Sequence, residues 1–173
     1  MKKIALLIAA IGSIVFSGCE GPEGPRGETG YSAESAVIDL KNVNFTVDQN
    51  GDYTVYRQFN FNVLLTDNVV MYRLSGTIDS NTPIWQPIPR TLYFDNSTNE
   101  FDYDYDFSLE DYTIYAGGNY DITTTPGLLN DETFRIVVIP GYFANKNSNL
   151  DKMDYDTLIK TYKIDDSKVR VIN

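Results

Sequence analysis

The sequence predicts an all-β domain, an antiparallel β-sandwich of Ig-like or jelly-roll-like type, with one short C-terminal helix. Three observations carry this expectation. From Val37 onward apolar residues recur mostly at every second position, the period of a strand with one buried face. Clusters of Asn, Asp, Ser and Gly interrupt the chain at short intervals and mark turns. The chain also holds 13 Tyr and nine Phe, side chains that suit a pleated, half-buried surface.

Taken in order, Val43, Phe45 and Val47 alternate with Asn44 and Thr46, and after Asn50-Gly51 the alternation resumes through Tyr53, Val55, Arg57, Phe59, Phe61 and Val63. Asn-Gly supplies the positive φ angles of a tight turn, so this stretch predicts a hairpin. Asp48-Gln49-Asn50-Gly51-Asp52 also has oxygen side chains at alternate positions, as a calcium loop does. An EF-hand loop, however, ends in a bidentate Glu, where Phe59 stands here, and lies between helices rather than strands. Further strands are predicted at residues 69–75, 90–95, 101–109, 112–115, 135–140 and 168–172, with turns at 79–81, 95–99, 117–119 and 144–149. Trp85, in Pro83-Ile84-Trp85-Gln86-Pro87-Ile88-Pro89, lies on a proline-stiffened segment suited to a sheet edge. Leu150, Met153, Leu158 and Ile159 fall near helical spacing with acidic residues early, which predicts a short helix over part of a sheet. Many short strands joined by brief turns make a sandwich.

Phe101-Asp102-Tyr103-Asp104-Tyr105-Asp106-Phe107 is the sharpest local pattern. On a strand it sends Phe101, Tyr103, Tyr105, Phe107 and Leu109 to one face and Asp102, Asp104 and Asp106 to the other. Phe59, Phe61, Tyr103, Tyr105, Phe107, Ile136 and Val138 are therefore expected to supply most of the core. The three aspartates are weak candidates for a Ca²⁺ site, because carboxylates two residues apart on a strand are roughly 7 Å apart and need loop ligands to share an ion. No metal is expected.

The leading segment reads as an address. Lys2 and Lys3 precede an apolar run from Ile4 to Phe16, which has the length of a signal-peptide core and is too short to span a bilayer. Phe16, Ser17 and Gly18 then lead into the only cysteine, Cys19. Gly21, Gly24, Gly27 and Gly30 follow at every third position, with Pro22 and Pro25 beside them. This is the collagen period, but so few triplets favour a polyproline-type spacer over a trimer stalk. The expected organisation is a signal over residues 1–18, a spacer over 19–30 and one β domain over 31–173.

Phe16-Ser17-Gly18-Cys19 resembles the lipobox of bacterial lipoproteins. The resemblance implies that Cys19 is thioether-linked to diacylglycerol, N-acylated, and first in the mature chain. With its Gly-Pro triplets and single β-rich domain, the chain is similar to short lipoproteins of Bacteroidota, especially flavobacteria. Val69-Val70-Met71-Tyr72-Arg73-Leu74, Ile84-Trp85-Gln86-Pro87-Ile88-Pro89, Phe134-Arg135-Ile136-Val137-Val138-Ile139-Pro140 and Asp165-Asp166-Ser167-Lys168-Val169 fit the same group. The resemblance implies a lipid-anchored outer-membrane protein, with Glu20 and Glu23 as a weak signal for display at the cell surface. It implies no activity.

Composition narrows the function classes. A formal net charge of −10 argues against nucleic acid as a partner. The chain has no His, which removes imidazole bases, His-based triads and the usual zinc sets. No enzyme activity and no cofactor beyond the lipid on Cys19 are expected. The expected role is a surface-anchored accessory module that docks onto an outer-membrane complex or other lipoproteins. The alternatives are a carbohydrate-binding module, with Trp85 as its best single aromatic, and a collagen-like trimeric surface protein. Replacing Cys19 by Ser should abolish incorporation of radioactive fatty acid and loosen the chain from the membrane fraction. Equal labelling of variant and wild type would refute the lipobox.

Overall fold

The computed structural model describes residues 35–79, 81–95, 98–141 and 149–173. The signal, lipobox and spacer expected in residues 1–30 lie outside them, as do Ser80, residues 96–97 and most of the expected turn at 144–149. Among the described residues ten strands form two five-stranded sheets. Sheet 1 contains β1 (Ala36–Val43), β4 (Asn68–Thr77), β5 (Pro83–Ile88), β9 (Glu132–Ile139) and β10 (Arg170–Ile172), in the order β10-β1-β9-β4-β5. Sheet 2 contains β2 (Thr46–Val47), β3 (Tyr53–Gln58), β6 (Arg90–Tyr93), β7 (Glu100–Phe107) and β8 (Asp111–Gly118), in the order β2-β3-β8-β7-β6. All pairings are antiparallel except that of β10 with β1, which is parallel. The β-sandwich expected from the sequence is the fold of the domain.

The expected hairpin turns at Asn50-Gly51, where Gly51 has φ 93°. The Asp48 carboxylate accepts the backbone N–H groups of Asn50 at 2.8 Å and Asp52 at 3.0 Å, so this acidic side chain closes a turn. The alternation through Val63 outruns the strand. The register of β3 with β8 ends at Gln58 opposite Asp111, and the backbone N–H of Phe59 then donates to the Glu110 carbonyl in the turn between β7 and β8 at 2.8 Å. Phe59 and Phe61 stay half-buried against the core, with Phe59 5.0 Å from the Tyr112 ring.

The inner faces meet over Leu40, Met71, Ile88, Phe101, Tyr103, Ile114, Phe134 and Ile136. Tyr103, Ile136 and Val138 are buried as expected, and Tyr105 is half-buried. Phe107 and Leu109 are a correction. Both are exposed, because β7 ends at Phe107 and carries them past the end of the sandwich. β9, the middle strand of sheet 1, has a continuous apolar run from Ile136 to Ile139 rather than alternation. Such a run marks a strand covered on both faces.

The cover on the outer face of sheet 1 is a helix, α1 (Tyr155–Tyr162). The expected helix over residues 150–162 is divided in two. Leu150–Lys152 forms a 3-10 turn, and Asp154 then starts α1 as its N-cap, accepting the Thr157 N–H at 3.0 Å. Tyr155, Leu158 and Tyr162 face inward at helical spacing and pack on Val37, Val70, Tyr72, Val137 and Ile139. Lys163, in the left-handed region at φ 52°, ends the helix.

Several tyrosines are tied into the fold by their hydroxyls. Tyr105 donates to the Val69 carbonyl across the sandwich at 3.0 Å, and Tyr103 donates to that of Leu128 at 2.7 Å. Burial pushes the phenols of Tyr105 and Tyr112 up to about 12, against about 10 in an unfolded chain. The native state thus holds these protons more tightly than the unfolded state, so stability should fall as pH rises from about 10 through about 12. Urea unfolding across that range should show a steady decline, and a flat profile would contradict the burial of both rings.

Candidate functional site

The two sheets present very different outer faces. On sheet 2, strand register brings together the side chains that alternate away from the core. Asp104 stands opposite Tyr115, Asp106 opposite Thr113, and Asp102 between Gly117 and Thr91. Tyr56 lies opposite Thr113 on the other side, and Tyr93 opposite Glu100. Asp102, Asp104 and Asp106 therefore share one face. The tyrosines at 56, 93 and 115 that share it with them were not foreseen.

Hydrogen bonds organise this face. The Tyr115 hydroxyl donates to Asp106 at 2.7 Å, and the Tyr56 hydroxyl donates to Asp111 at 3.0 Å. In each case the carboxylate bond, more than any other influence, holds the phenol above its ordinary value. No Lys or Arg occupies an outward position on β3, β8, β7 or β6 in this register. The surface is thus polar, aromatic and uniformly negative. Among the described residues no three His, Cys, Asp or Glu side chains cluster as metal ligands would.

Trp85 sits on β5, the edge strand of sheet 1, and is half-buried. The Arg135 guanidinium lies 4.2 Å from the centre of its ring and 4.9 Å from that of Tyr155. The two rings are themselves 6.1 Å apart. A cation at that distance is attracted by the ring quadrupole. Trp85 is thus packed into the seam between β5, β9 and α1, and Arg135 occupies its ring.

Arg135 is the hub of that seam. Its Nε and Nη2 donate to both oxygens of Asp39 at 2.6 and 2.9 Å, and its Nη1 donates to the Tyr155 hydroxyl at 2.8 Å. Tyr155 in turn donates to Asp166 at 2.8 Å. Burial is the largest single influence on Arg135 and would pull it down, but Asp39 and Tyr155 together outweigh it and hold the guanidinium above its ordinary value. A second pair lies on the inner face of the same sheet, where Arg73 meets both oxygens of Glu132 at 2.8 and 2.6 Å. Sequence reasoning did not single out Asp39, Arg73, Glu132, Arg135, Tyr155 or Asp166. The signal was present as a charge inside an apolar strand, in Val37-Ile38-Asp39-Leu40 and Phe134-Arg135-Ile136-Val137.

Phe16, Ser17, Gly18, Cys19, Glu20 and Glu23 lie outside the described residues. No helix among the described residues is long and apolar enough to cross a membrane.

Replacing Arg135 with Met should cost about 3–5 kcal/mol, because it leaves the Asp39 carboxylate buried without its partner. The double variant Arg135→Met with Asp39→Leu should recover most of that loss. Urea unfolding of the two proteins checks both values. No protein-family model, curated protein or solved structure matches this chain.

Proposed function

We propose that this chain is a lipid-anchored, surface-displayed accessory protein of the outer membrane, whose β domain docks without catalysis onto a basic surface of a membrane-associated assembly. The observation that carries the reading is the contrast between the two outer faces. That of sheet 1 is closed by α1 and its buried ion pair. Among the described residues no helix covers that of sheet 2, where Asp102, Asp104, Asp106 and Asp111 are spread among Tyr56, Tyr93 and Tyr115. Complementary charge steers association and sets orientation, and tyrosine supplies contact area at low entropic cost. The lipobox-like Phe16-Ser17-Gly18-Cys19 supports the anchor.

A non-catalytic role is supported by the absence of His from the sequence and by the pairing of both buried carboxylates with arginine. Carbohydrate binding is the second reading, and a specific feature favours it. Tyr56 and Tyr93 are exposed beside acceptor carboxylates, and such rings can stack on sugar faces while carboxylates take sugar hydroxyls.

The test is a pull-down from native outer membranes with wild type and with Asp102→Asn, Asp104→Asn and Asp106→Asn combined. Asp104 and Asp106 are exposed and Asp102 half-buried, and surface substitutions of this kind usually change stability by about 0.5 kcal/mol or less each, so the two proteins should melt within a few degrees of each other. Wild type should capture a membrane protein at low salt, and either the triple variant or high salt should abolish capture. Equal recovery by both proteins would refute docking through this face. Retention on a glycan array, lost on Tyr56→Ala with Tyr93→Ala, would favour the carbohydrate reading.

A further inference from the structure

Among the described residues, four exposed apolar side chains collect at one end of the sandwich. Leu65 is 89% exposed, and Leu64, Phe107 and Leu109 are also exposed. The topology puts them together. β3 ends at Gln58 opposite Asp111, at the hairpin that joins β7 to β8, and the loop after it leads to Asn68 at the start of β4. The Phe59 N–H bond to Glu110 ties that loop to the hairpin, and the Tyr105 hydroxyl bond to Val69 ties β7 to the start of β4.

The outward placing of Leu64 and Leu65 is built in. Asp67 closes the turn from both sides, its carboxylate accepting the Leu64 N–H at 3.0 Å and the Gly141 N–H at 3.2 Å, while its own N–H donates to the Leu64 carbonyl at 2.9 Å. A turn fixed in this way cannot fold its leucines back into the core without losing those bonds. Acidic side chains, Asp106, Glu110 and Asp111, lie beside the tip, so an anionic surface would repel it.

The same end is where the domain receives its leading segment. Ala36 of β1 pairs with Val138, and Asn68 pairs with Ile139, so the first residues of β1 emerge beside the start of β4. Residues 20–34 separate that point from Cys19, a length of chain that spans at most about 50 Å. A lipid on Cys19 would hold this end at the bilayer at a high effective concentration, where a few apolar side chains suffice for contact.

We propose that Leu64, Leu65, Phe107 and Leu109 form a membrane-contacting tip that seats the domain on a zwitterionic lipid surface and turns the outer face of sheet 2 sideways to its partner. This rests on the lipid-anchor reading. The test uses the full acylated chain in phosphatidylcholine vesicles, with an environment-sensitive fluorophore on Leu65→Cys or, as control, on Ile78→Cys. Acylated Cys19 leaves the introduced thiol as the only free one. Ile78 is 75% exposed and lies in the turn between β4 and β5, at the opposite end.

The Leu65 probe should shift to the blue and be quenched by spin-labelled lipid, with neither change at Ile78. A probe on Leu109→Cys should lose its quenching when Leu64 and Leu65 are both replaced by Ser. Water-like emission at both Leu65 and Ile78, on protein whose mass shows the acyl chains, would overturn the tip and leave the anchor standing. Protein lacking the acyl mass would overturn the anchor and the tip together. A blue shift that grows with protein concentration in the unacylated Cys19→Ser chain, without vesicles, would assign the tip to self-association and also overturn the proposal.

Discussion

A carboxylate cannot stand alone in an apolar layer, and among its described residues this domain buries two. Asp39 and Glu132 are both nearly inaccessible, and each is met by both arms of an arginine on a neighbouring strand of sheet 1. β9 contributes one member of each pair, Glu132 toward the sandwich interior and Arg135 toward α1. Sliding β9 by one residue against β1 or β4 would swap every inward side chain for an outward one and leave four charges unmatched. The pairs thus specify register more than they add stability, since buried ion pairs recover little beyond their own desolvation.

The same pairs explain why the two outer faces diverge. Arg135 projects from the sheet into a space walled by Trp85 and Tyr155, and its bond to the Tyr155 hydroxyl draws α1 down onto Val70, Tyr72 and Val137. The helix cannot lift away without exposing that apolar patch and a guanidinium at once. Sheet 2 has no such anchor on its outer side. Its outward positions hold carboxylates and tyrosines that bond to one another at the surface, so no apolar patch there calls for a cover.

Much of this was legible in the sequence where one local rule acted alone. Asn50-Gly51 announced its turn, and Phe101 to Tyr105 announced their alternation, because turn chemistry and strand period are local properties. Phe107 and Leu109 continue the same pattern, yet they are exposed, because no local signal says where the opposing sheet stops. Pro83 and Pro87 obscured β5, which tolerates them as an edge strand. The sharing of one face by Asp104, Tyr115 and Tyr56 depends on pairings between strands distant in sequence. The buried arginines were visible as misplaced charges, but their partners, Asp39 and Glu132, are identified only by the sheet.

The parallel pairing of β10 with β1 has a consequence for how such a domain is made. Ile38 and Arg170 lie side by side although nearly the whole domain separates them in sequence, and α1, which covers the outer face of sheet 1, comes after β1, β4, β5 and β9 of that sheet. During vectorial synthesis the apolar surface of Val37, Val70, Val137 and Ile139 is therefore complete before its cover emerges. Contacts of such long range also slow folding. The domain passes through an interval in which four strands of sheet 1 stand bare on one face until α1 arrives, and that interval is where a holding chaperone would have most to protect.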